Sequence, residues 1–392
     1  MIDRLTSSPV RVLELRSTYR GGGGPDKTIL LSAAAHDPTR VQVTCVYLRG
    51  ADDAAFTLHE RARELQVPFE AILERGGMDP TLLPRLAHTL YRHRPHIIHT
   101  HDYKSDLLGW ALRPLVPRAR LLATAHGWTL DNRRMNIYNQ LDRLVLRRFD
   151  HVIAVSGATR ERMVRAGIPD RRITLLYNGI DLNVWRPPGG EVDRISVRRA
   201  LGLPVDGPLV GFIGRLSPEK QVSVALEAVR LARERHPGLH LVVVGDGAAE
   251  SDLPGMVRRK GLEGVVHALG YRRVTPEWYH ALDVYLMSSR TEGLPNTLLE
   301  AMACGCPSVV TAVGGIPELV GSSGGVLLCP SGDAACLARG VSVVVEEPGR
   351  GVRMGEAARR RVEEAFSFEA RLRAIEGLYE SLARGRGVRR WW

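Results

Sequence analysis

The chain has 392 residues, of which 44% are hydrophobic and 25% are charged. This balance is typical of a globular protein and excludes a disordered or fibrous chain, while the length favours two domains over one. No apolar run reaches the roughly 18 to 20 residues that a membrane-spanning helix needs, and the N-terminal segment lacks the apolar core of a signal peptide, so we expect a cytoplasmic protein.

The positive charge of the chain is unevenly distributed. The formal net charge is +11, and the stretch from Arg85 to Arg148 alone contains 12 Lys and Arg against 4 Asp and Glu. Such a stretch can meet nucleic acid, an anionic membrane surface or a phosphorylated substrate, or it can reflect arginine-rich helices that face solvent. Nucleic acid is disfavoured, because no basic motif interleaved with aromatic residues accompanies the charge.

The five cysteines lie at positions 45, 304, 306, 329 and 336. An odd number without paired CxxC spacing argues against a disulfide framework and against a zinc site. We expect all five to be small buried residues.

Short β-rich runs alternate with helical patterns along the whole chain, which is typical of βαβ units. The strands predicted in the first half are 10–15, 41–48, 96–100, 120–125 and 151–156. After a Pro/Gly break at 185–190, further strands are predicted at 209–214, 240–245, 265–270, 283–289 and 307–311. The strands are almost continuously apolar, so the fold class is α/β, with two doubly wound domains that bind ligands at the carboxyl ends of parallel strands.

Candidate residues of the first half follow predicted strands. Four glycines, Gly21 to Gly24, follow the first strand and permit close backbone approach to a ligand. His126 ends a later strand, where a single histidine is usually structural but Gly127 beside it favours an active-site role. The segment HTHDYKSDLLG at 99–109 places His101, Asp102 and Lys104 where they would help to hold an acceptor.

A metal site at His99 and His101 is a weak alternative. Alternate residues of a strand point to the same face, but the sequence supplies no third ligand beside them. We therefore predict no metal site.

The segment GRLSPEK at 214–220 places two cations, Arg215 and Lys220, after a strand and beside a helix start. Preorganised cations of this kind can neutralise the charge that develops on a departing diphosphate. The alternative is a pair of solvated side chains near a helix terminus.

The segment SSRTEGLPNTLLEAMACGCP at 288–307 is the most informative in the chain. It predicts a helix that opens at Pro295, whose first N–H groups form an anion site strengthened by the helix dipole. Glu292 would lie in the preceding loop and Glu300 further along the helix, so that two carboxylates bracket a phosphate. This arrangement suits a sugar nucleotide, although two surface glutamates would give the same pattern.

Together with VVGDG and VGGIPELV, these segments resemble glycosyltransferase family 4, a group of retaining enzymes with the GT-B fold. The resemblance implies two Rossmann-like domains facing each other across a cleft. The first would be an acceptor-side domain at 1–187 and the second a nucleotide-sugar-binding domain at 188–366. A helix and a basic, Trp-ending tail at 367–392 would return to the first domain.

The resemblance also implies roles for individual residues. Arg215 and Lys220 would bind the donor diphosphate, Glu300 the ribose and Glu292 the transferred sugar, while His126 would face that sugar. The remaining donor contacts would come from Gly22, Gly23, Gly214, Gly245, Gly247, Tyr271, Arg272, Asn296, Thr297 and Leu298.

The expected function is transfer of a sugar, with retained configuration, from a nucleoside-diphosphate sugar to an acceptor. We expect neither a metal nor a cofactor beyond this donor. The expected setting is assembly of a cell-surface polysaccharide or glycolipid, with a lipid-linked or anionic acceptor. The tail RGRGVRRWW at 384–392 suggests peripheral association with the inner face of the membrane, and a frayed tail is the alternative.

Other classes of protein fit less well. A P-loop phosphotransferase requires glycine where GGGGPDKT has Asp26, and a dinucleotide oxidoreductase requires glycine where GDGAAE has Glu250. A sugar-nucleotide epimerase, a phosphorylase or a non-catalytic sugar-nucleotide binder would share the GT-B architecture. The 288–307 segment argues against the first two, and the presence of all four charged donor residues argues against a silent binder.

Overall fold

A computed structural model describes residues 8–76, 79–126, 133–189 and 193–385. The chain divides into two compact units. The first comprises the described residues up to Asn178 together with those from Glu369 onward, and the second comprises Gly179–Phe368.

The first unit is built on a parallel sheet of seven strands in the order β3-β2-β1-β4-β5-β6-β7. Glu14 of β1 lies opposite His99 of β4 in the register of the sheet. The strands are β1 Val10–Ser17, β2 Val41–Gly50, β3 Phe69–Glu74, β4 Ile97–Thr100, β5 Arg120–Ala125, β6 His151–Ala154 and β7 Ile173–Leu175.

Helices connect these strands, and several begin at a side chain that caps them. The Asp102 carboxylate accepts hydrogen bonds from the backbone N–H of Lys104 and Ser105, and Ser156 caps a later helix by accepting from a backbone N–H in its first turn. The helices are α1 Gly24–Ala35, α2 Leu58–Glu64, α3 Leu82–His93, α4 Tyr103–Leu112, α5 Arg133–Leu146 and α6 Gly157–Arg165.

The second unit is built on a parallel sheet of six strands in the order β10-β9-β8-β11-β12-β13. Its strands are β8 Leu209–Ile213, β9 His240–Val244, β10 Val266–Ala268, β11 Val284–Met287, β12 Ser308–Thr311 and β13 Val326–Cys329. Most side chains of β8, β9, β11 and β12 are buried, because helices cover both faces of the sheet.

Helices connect the strands of the second unit as well, and several of them contribute buried apolar side chains to its core. They are α7 Arg194–Ala200, α8 Val222–Arg233, α9 Leu253–Arg259, α10 Pro276–His280, α11 Asn296–Ala303, α12 Ile316–Val320, α13 Ala334–Glu346 and α14 Pro348–Ala365. The predicted α/β class with two doubly wound, Rossmann-like units is confirmed.

Residues 179–187, expected in the first domain, belong to the second unit. The backbone N–H of Ile180 donates to Phe366 O at 2.9 Å, and the Arg359 guanidinium donates to Trp185 O at 2.6 Å. The last helix, α15 Phe368–Ala383, packs in the core of the first unit through Ile375, Leu378 and Tyr379.

Two of the cysteines do not match the expectation. Cys329 at the end of β13 and Cys336 in the first turn of α13 form a disulfide, with their Cα atoms 5.7 Å apart. The prediction of five unpaired cysteines was therefore wrong for this pair. The thiols of Cys45, Cys304 and Cys306 are buried, as expected, and burial raises the pKa of Cys306 to about 12.

No helix in the part of the chain that the structure describes combines the length and the apolar character needed to cross a membrane.

Candidate active site

The second sheet reverses its order of connection at β8. This strand lies between β9 and β11, so the chain leaves β8 to one side and later returns on the other. Ligands of open parallel sheets bind outside the carboxyl ends of the strands at such a point. The loops that follow β8 and β11 carry the charged residues predicted to bind a donor.

The loop after β8 is held against the end of β11. It contains a 3-10 helix, Pro218–Lys220, and the Ser288 hydroxyl oxygen lies 2.9 Å from the backbone oxygens of both Lys220 and Gln221, which share its one hydrogen. The Arg215 side chain is 53% exposed and lies 3.4 Å from the Glu219 carboxylate. Arg215 is therefore accessible to an anion at the carboxyl edge of the sheet.

Lys220 and Glu292, 72 positions apart, form an ion pair. Lys220 Nζ lies 2.5 Å from Glu292 Oε1, and the Ser289 hydroxyl donates to the same carboxylate oxygen at 2.6 Å. The side chains are only 18% and 9% exposed. An ammonium group has three donors, so Lys220 can keep this contact and still donate to a phosphate oxygen.

Helix α11 begins at Asn296, one residue later than predicted, and Pro295 precedes it as the N-cap. The first N–H groups of a helix have no acceptor within the helix, so the first turn suits an anion. The Tyr285 hydroxyl donates to the Thr297 hydroxyl at 2.8 Å, and Leu298 is fully buried. These contacts fix the direction of the first turn.

Glu300 lies on the same helix and is only 3% exposed. The hydroxyl of Tyr279, in α10, donates to Glu300 Oε2 at 2.7 Å. Burial, reinforced by the Glu300 charge, raises the pKa of Tyr279 well above its usual range, so the phenol stays protonated and orients the carboxylate. Tyr279 belongs to no motif in the sequence and was therefore not among the predicted site residues.

Glycines let three adjacent strand ends approach one another. Gly245 has φ +138°, and a Cβ on it would lie 1.9 Å from Gly214 O, while a Cβ on Gly247 would lie 2.6 Å from Leu216 O. The backbone N–H of Gly245 donates to Gly270 O at 2.9 Å. The glycines therefore permit close packing of the backbone at this edge, and the nucleoside pocket predicted there stays a prediction.

The two side chains predicted to line that pocket are exposed. Tyr271 follows Gly270 and is exposed, and the Arg272 guanidinium donates to Tyr271 O at 3.0 Å. Gly314 supports the site from the other side, because a Cβ there would lie 1.8 Å from Glu292 O. Only glycine permits this packing against the loop that carries Glu292.

The glycine-rich loop lies in the first unit, between β1 and α1. Gly22 has φ +71°, and the backbone N–H of Gly23 donates to Asp26 Oδ2 at 2.6 Å. Asp26 is buried, and its other oxygen accepts from Arg16 Nε at 2.6 Å. A carboxylate thus occupies the position that a P-loop leaves to phosphate, which agrees with rejecting that class.

His126 follows β5 and belongs to a hydrogen-bonded network. Its Nε2 lies 3.4 Å from His101 Nδ1, and His101 Nε2 lies 2.5 Å from Glu14 Oε2. Burial, followed by the charges of Arg16 and His101, lowers the pKa of His126 well below its usual value. Glu14 lies on β1, far from either histidine in the chain, and was therefore not among the predicted site residues.

Glu14 is also the third group that the metal alternative lacked. The ligand atoms of Glu14, His99 and His101 all lie within 4.8 Å of one another, so the argument that no third ligand exists was wrong. All three side chains, however, already hydrogen-bond to protein groups. His99 Nδ1 lies 2.8 Å from the Tyr379 hydroxyl, and His99 Nε2 lies 2.7 Å from the Thr124 hydroxyl.

Asp102 and Lys104, expected to help hold an acceptor, have structural partners. The Asp102 carboxylate caps α4 and also accepts from the backbone N–H of Ser17 at 2.8 Å. Lys104 forms an ion pair with Glu74 at the end of β3. These contacts explain both residues without an acceptor.

Two Rossmann-like units are the architecture of GT-B glycosyltransferases. The second unit carries cations, carboxylates and a helix N-terminus at the switch point of its sheet. Residues 22–184 match the model of glycosyltransferase family 4, and residues 207–347 match that of group 1 glycosyl transferases. The chain belongs to this family.

Relatives support the assignment. The chain is 31% identical over 249 residues to a lipopolysaccharide core biosynthesis mannosyltransferase of Rhizobium meliloti, covering 62% of this chain and 68% of the relative. It is 30% identical to a D-inositol 3-phosphate glycosyltransferase of Thermomonospora curvata, covering 67% of this chain and 66% of the relative. The alignments thus span about two thirds of each relative's own length.

Among solved structures, Anabaena HepE in complex with UDP-glucose is similar in fold. The TM-score is 0.82 at 22% sequence identity, with 95% of this chain and 99% of that chain covered.

Proposed function

We propose that this chain transfers a sugar from a nucleoside-diphosphate sugar to an acceptor, with retention of the anomeric configuration. The observation that carries the proposal is the Lys220–Glu292 ion pair at the switch point of the second sheet, where the loop that contains Arg215 follows β8 and α11 follows β11. Solved structures of similar fold contain UDP or UDP-glucose, which supports a donor of this chemical class.

In the proposed reaction the bond between the anomeric carbon and the β-phosphate oxygen breaks, and the acceptor hydroxyl bonds to the same face of the sugar. The departing phosphate takes the proton of that hydroxyl. Arg215, Lys220 and the α11 amides stabilise the diphosphate as its charge grows, so the reaction needs neither a metal nor another cofactor. Glu300 binds the ribose, Glu292 binds the transferred sugar and His126 contacts a hydroxyl of the substrate.

A panel of α-linked nucleoside-diphosphate sugars with different bases tests the proposal. We expect one of them to release nucleoside diphosphate slowly without an acceptor, and ¹H NMR should show the α-anomer of the sugar as the first product. Arg215→Ala serves as the background control. First appearance of the β-anomer would refute retention. Conversion of a donor to its epimer without nucleotide release would identify an epimerase instead.

We further propose that the acceptor is anionic or lipid-linked and that the protein reaches it from the inner face of a membrane during polysaccharide or glycolipid assembly. The names of the two relatives refer to a lipopolysaccharide core and to an inositol phosphate, which fit such an acceptor. In the basic stretch 85–148, Tyr91, Leu115 and Leu144 are exposed beside the arginines. Basic residues attract anionic headgroups, each contributing about 1 kcal/mol near the surface.

Sedimentation with vesicles tests the membrane proposal. The protein should pellet with anionic vesicles at low salt, and salt should release it, because the Debye length falls from about 30 Å at 0.01 M to about 3 Å at 1 M. Replacing Arg386, Arg389 and Arg390 by Gln should reduce pelleting. These three lie in the tail segment 386–392, outside the described residues. Equal pelleting with neutral vesicles would show that charge does not direct the association.

A further inference from the structure

The first unit contains a buried carboxylate that three side chains surround. Glu14 is on β1, and its Oε1 lies 2.7 Å from the Tyr379 hydroxyl and 3.1 Å from His99 Nδ1. Its Oε2 lies 2.5 Å from His101 Nε2. All four side chains are at least nine-tenths buried. The four residues of this network lie on β1, on β4, directly after β4 and on α15.

The chemistry of this network assigns the protons on its rings. An ionised carboxylate only accepts hydrogen bonds, so the three surrounding groups must donate to it. Although burial raises the pKa of Glu14, the two histidines lower it well below its usual value. His101 therefore carries its hydrogen on Nε2, and its Nδ1 is a lone pair as long as the ring is neutral.

The ring of His101 is neutral near neutral pH. Burial, together with the neighbouring His99, lowers the pKa of His101 to about 4, against the attraction of Glu14. His101 Nδ1 consequently accepts a hydrogen bond, and the group within reach is His126 Nε2 at 3.4 Å. Hence His126 carries its hydrogen on Nε2 and keeps a lone pair on Nδ1.

We propose that Glu14 and His101 are positioning residues that hold His126 in the Nε2–H tautomer, so that His126 Nδ1 accepts a hydrogen bond from a substrate hydroxyl. The contact between His126 and a substrate hydroxyl rests on the proposed function, but the tautomer of His126 does not. The tautomer follows because His101 Nε2 donates to Glu14 and His126 Nε2 donates to His101 Nδ1, so that each N–H points toward the carboxylate. His126 then favours a substrate that offers a hydroxyl over one that offers only an acceptor.

Glu14→Gln should reverse the direction of the hydrogen bonds that link residue 14, His101 and His126. The carbonyl oxygen of the introduced amide remains the acceptor for Tyr379 and His99, which leaves its NH₂ group facing His101 Nε2. His101 must then accept at Nε2 and donate from Nδ1, which forces His126 to accept at Nε2 and to carry its hydrogen on Nδ1. A single amide substitution is thus expected to exchange the tautomers of two histidines.

Long-range ¹H–¹⁵N correlation spectra of ¹⁵N-histidine-labelled, donor-free protein test this proposal. The wild type should show His126 protonated on Nε2, and Glu14→Gln should show it protonated on Nδ1. Tyr379→Phe is the matched control, because it removes a donor from the same carboxylate on the side away from His101. It should leave the tautomer of His126 unchanged. A general packing role for Glu14 would make the two variants alike.

Several outcomes overturn the proposal. These are a wild-type His126 protonated on Nδ1, an unchanged tautomer in folded Glu14→Gln, or stoichiometric binding of Zn²⁺ that shifts the His99 and His101 signals. The wild-type spectrum alone tests the tautomer of His126, even if neither variant folds.

Kinetics give a second test once an active donor is known. Glu14→Gln should lower kcat/KM for the donor roughly 3- to 10-fold, which is the effect expected from the loss of one hydrogen bond, and Tyr379→Phe should not lower it. The spectra can be recorded on protein that shows no activity. Failure of the proposed tautomer is therefore distinguishable from failure of the proposed function.

Discussion

Arg215→Ala is expected to lower turnover by about 10²- to 10³-fold, or roughly 2.7 to 4 kcal/mol, while changing the free energy of unfolding little. The side chain is half-exposed, and its contact with Glu219 is 3.4 Å long, so it contributes little to stability. Its charge should act on the departing diphosphate, where preorganised cations have their largest effect. Steady-state kinetics and chemical denaturation of the same preparation measure the two quantities.

Lys220→Ala should lose turnover to a similar extent but should also lose stability, because it leaves the largely buried Glu292 carboxylate without its cation. Lys260→Ala is the control, since Lys260 forms an ion pair with Glu227 elsewhere in the second unit. Turnover close to wild type in a folded Arg215→Ala, Lys220→Ala double variant would refute the assignment of both residues to the diphosphate.

Glu300→Gln is expected to weaken binding of the free nucleoside diphosphate by about 10- to 100-fold, because a hydrogen bond to a charged group contributes roughly 1.5 to 3 kcal/mol. The Tyr279 hydroxyl can still donate to the amide oxygen, so the fold around residue 300 should survive. Glu292→Gln should preserve or strengthen this binding, since it removes the carboxylate that partly neutralises Lys220. It should instead impair transfer.

Calorimetry with the nucleoside diphosphate of the active donor separates these effects. Glu227→Gln, which removes a carboxylate from the Lys260 pair, controls for a general loss of negative charge. Equal losses of nucleotide affinity in Glu292→Gln and Glu300→Gln would mean that the ribose and sugar roles are wrongly divided between the two residues. Loss of affinity in Glu292→Gln alone would mean that the roles are exchanged.

All ten strands predicted from the sequence are present, and the three further strands in the part of the chain that the structure describes share one property. β3, β7 and β13 each lie at an edge of their sheet. An edge strand is covered on fewer sides than a central one, so it needs fewer apolar residues and leaves a weaker pattern. The half-exposed β3 and the three-residue β7 illustrate this weakness.

The sequence by itself determined the α/β class, the two sheets and the candidate residues at the carboxyl ends of β8 and β11, because each of these depends on neighbours a few positions away. Parallel topology then brings the strand ends to one edge. Only the tertiary structure decided the pairing of Lys220 with Glu292, the disulfide Cys329–Cys336 and the network around Glu14, in which Tyr379 lies 365 positions away. The side-chain contacts of this network depend on strand register and on the packing of α15, and no local pattern of residues encodes a distance between segments so far apart in the chain.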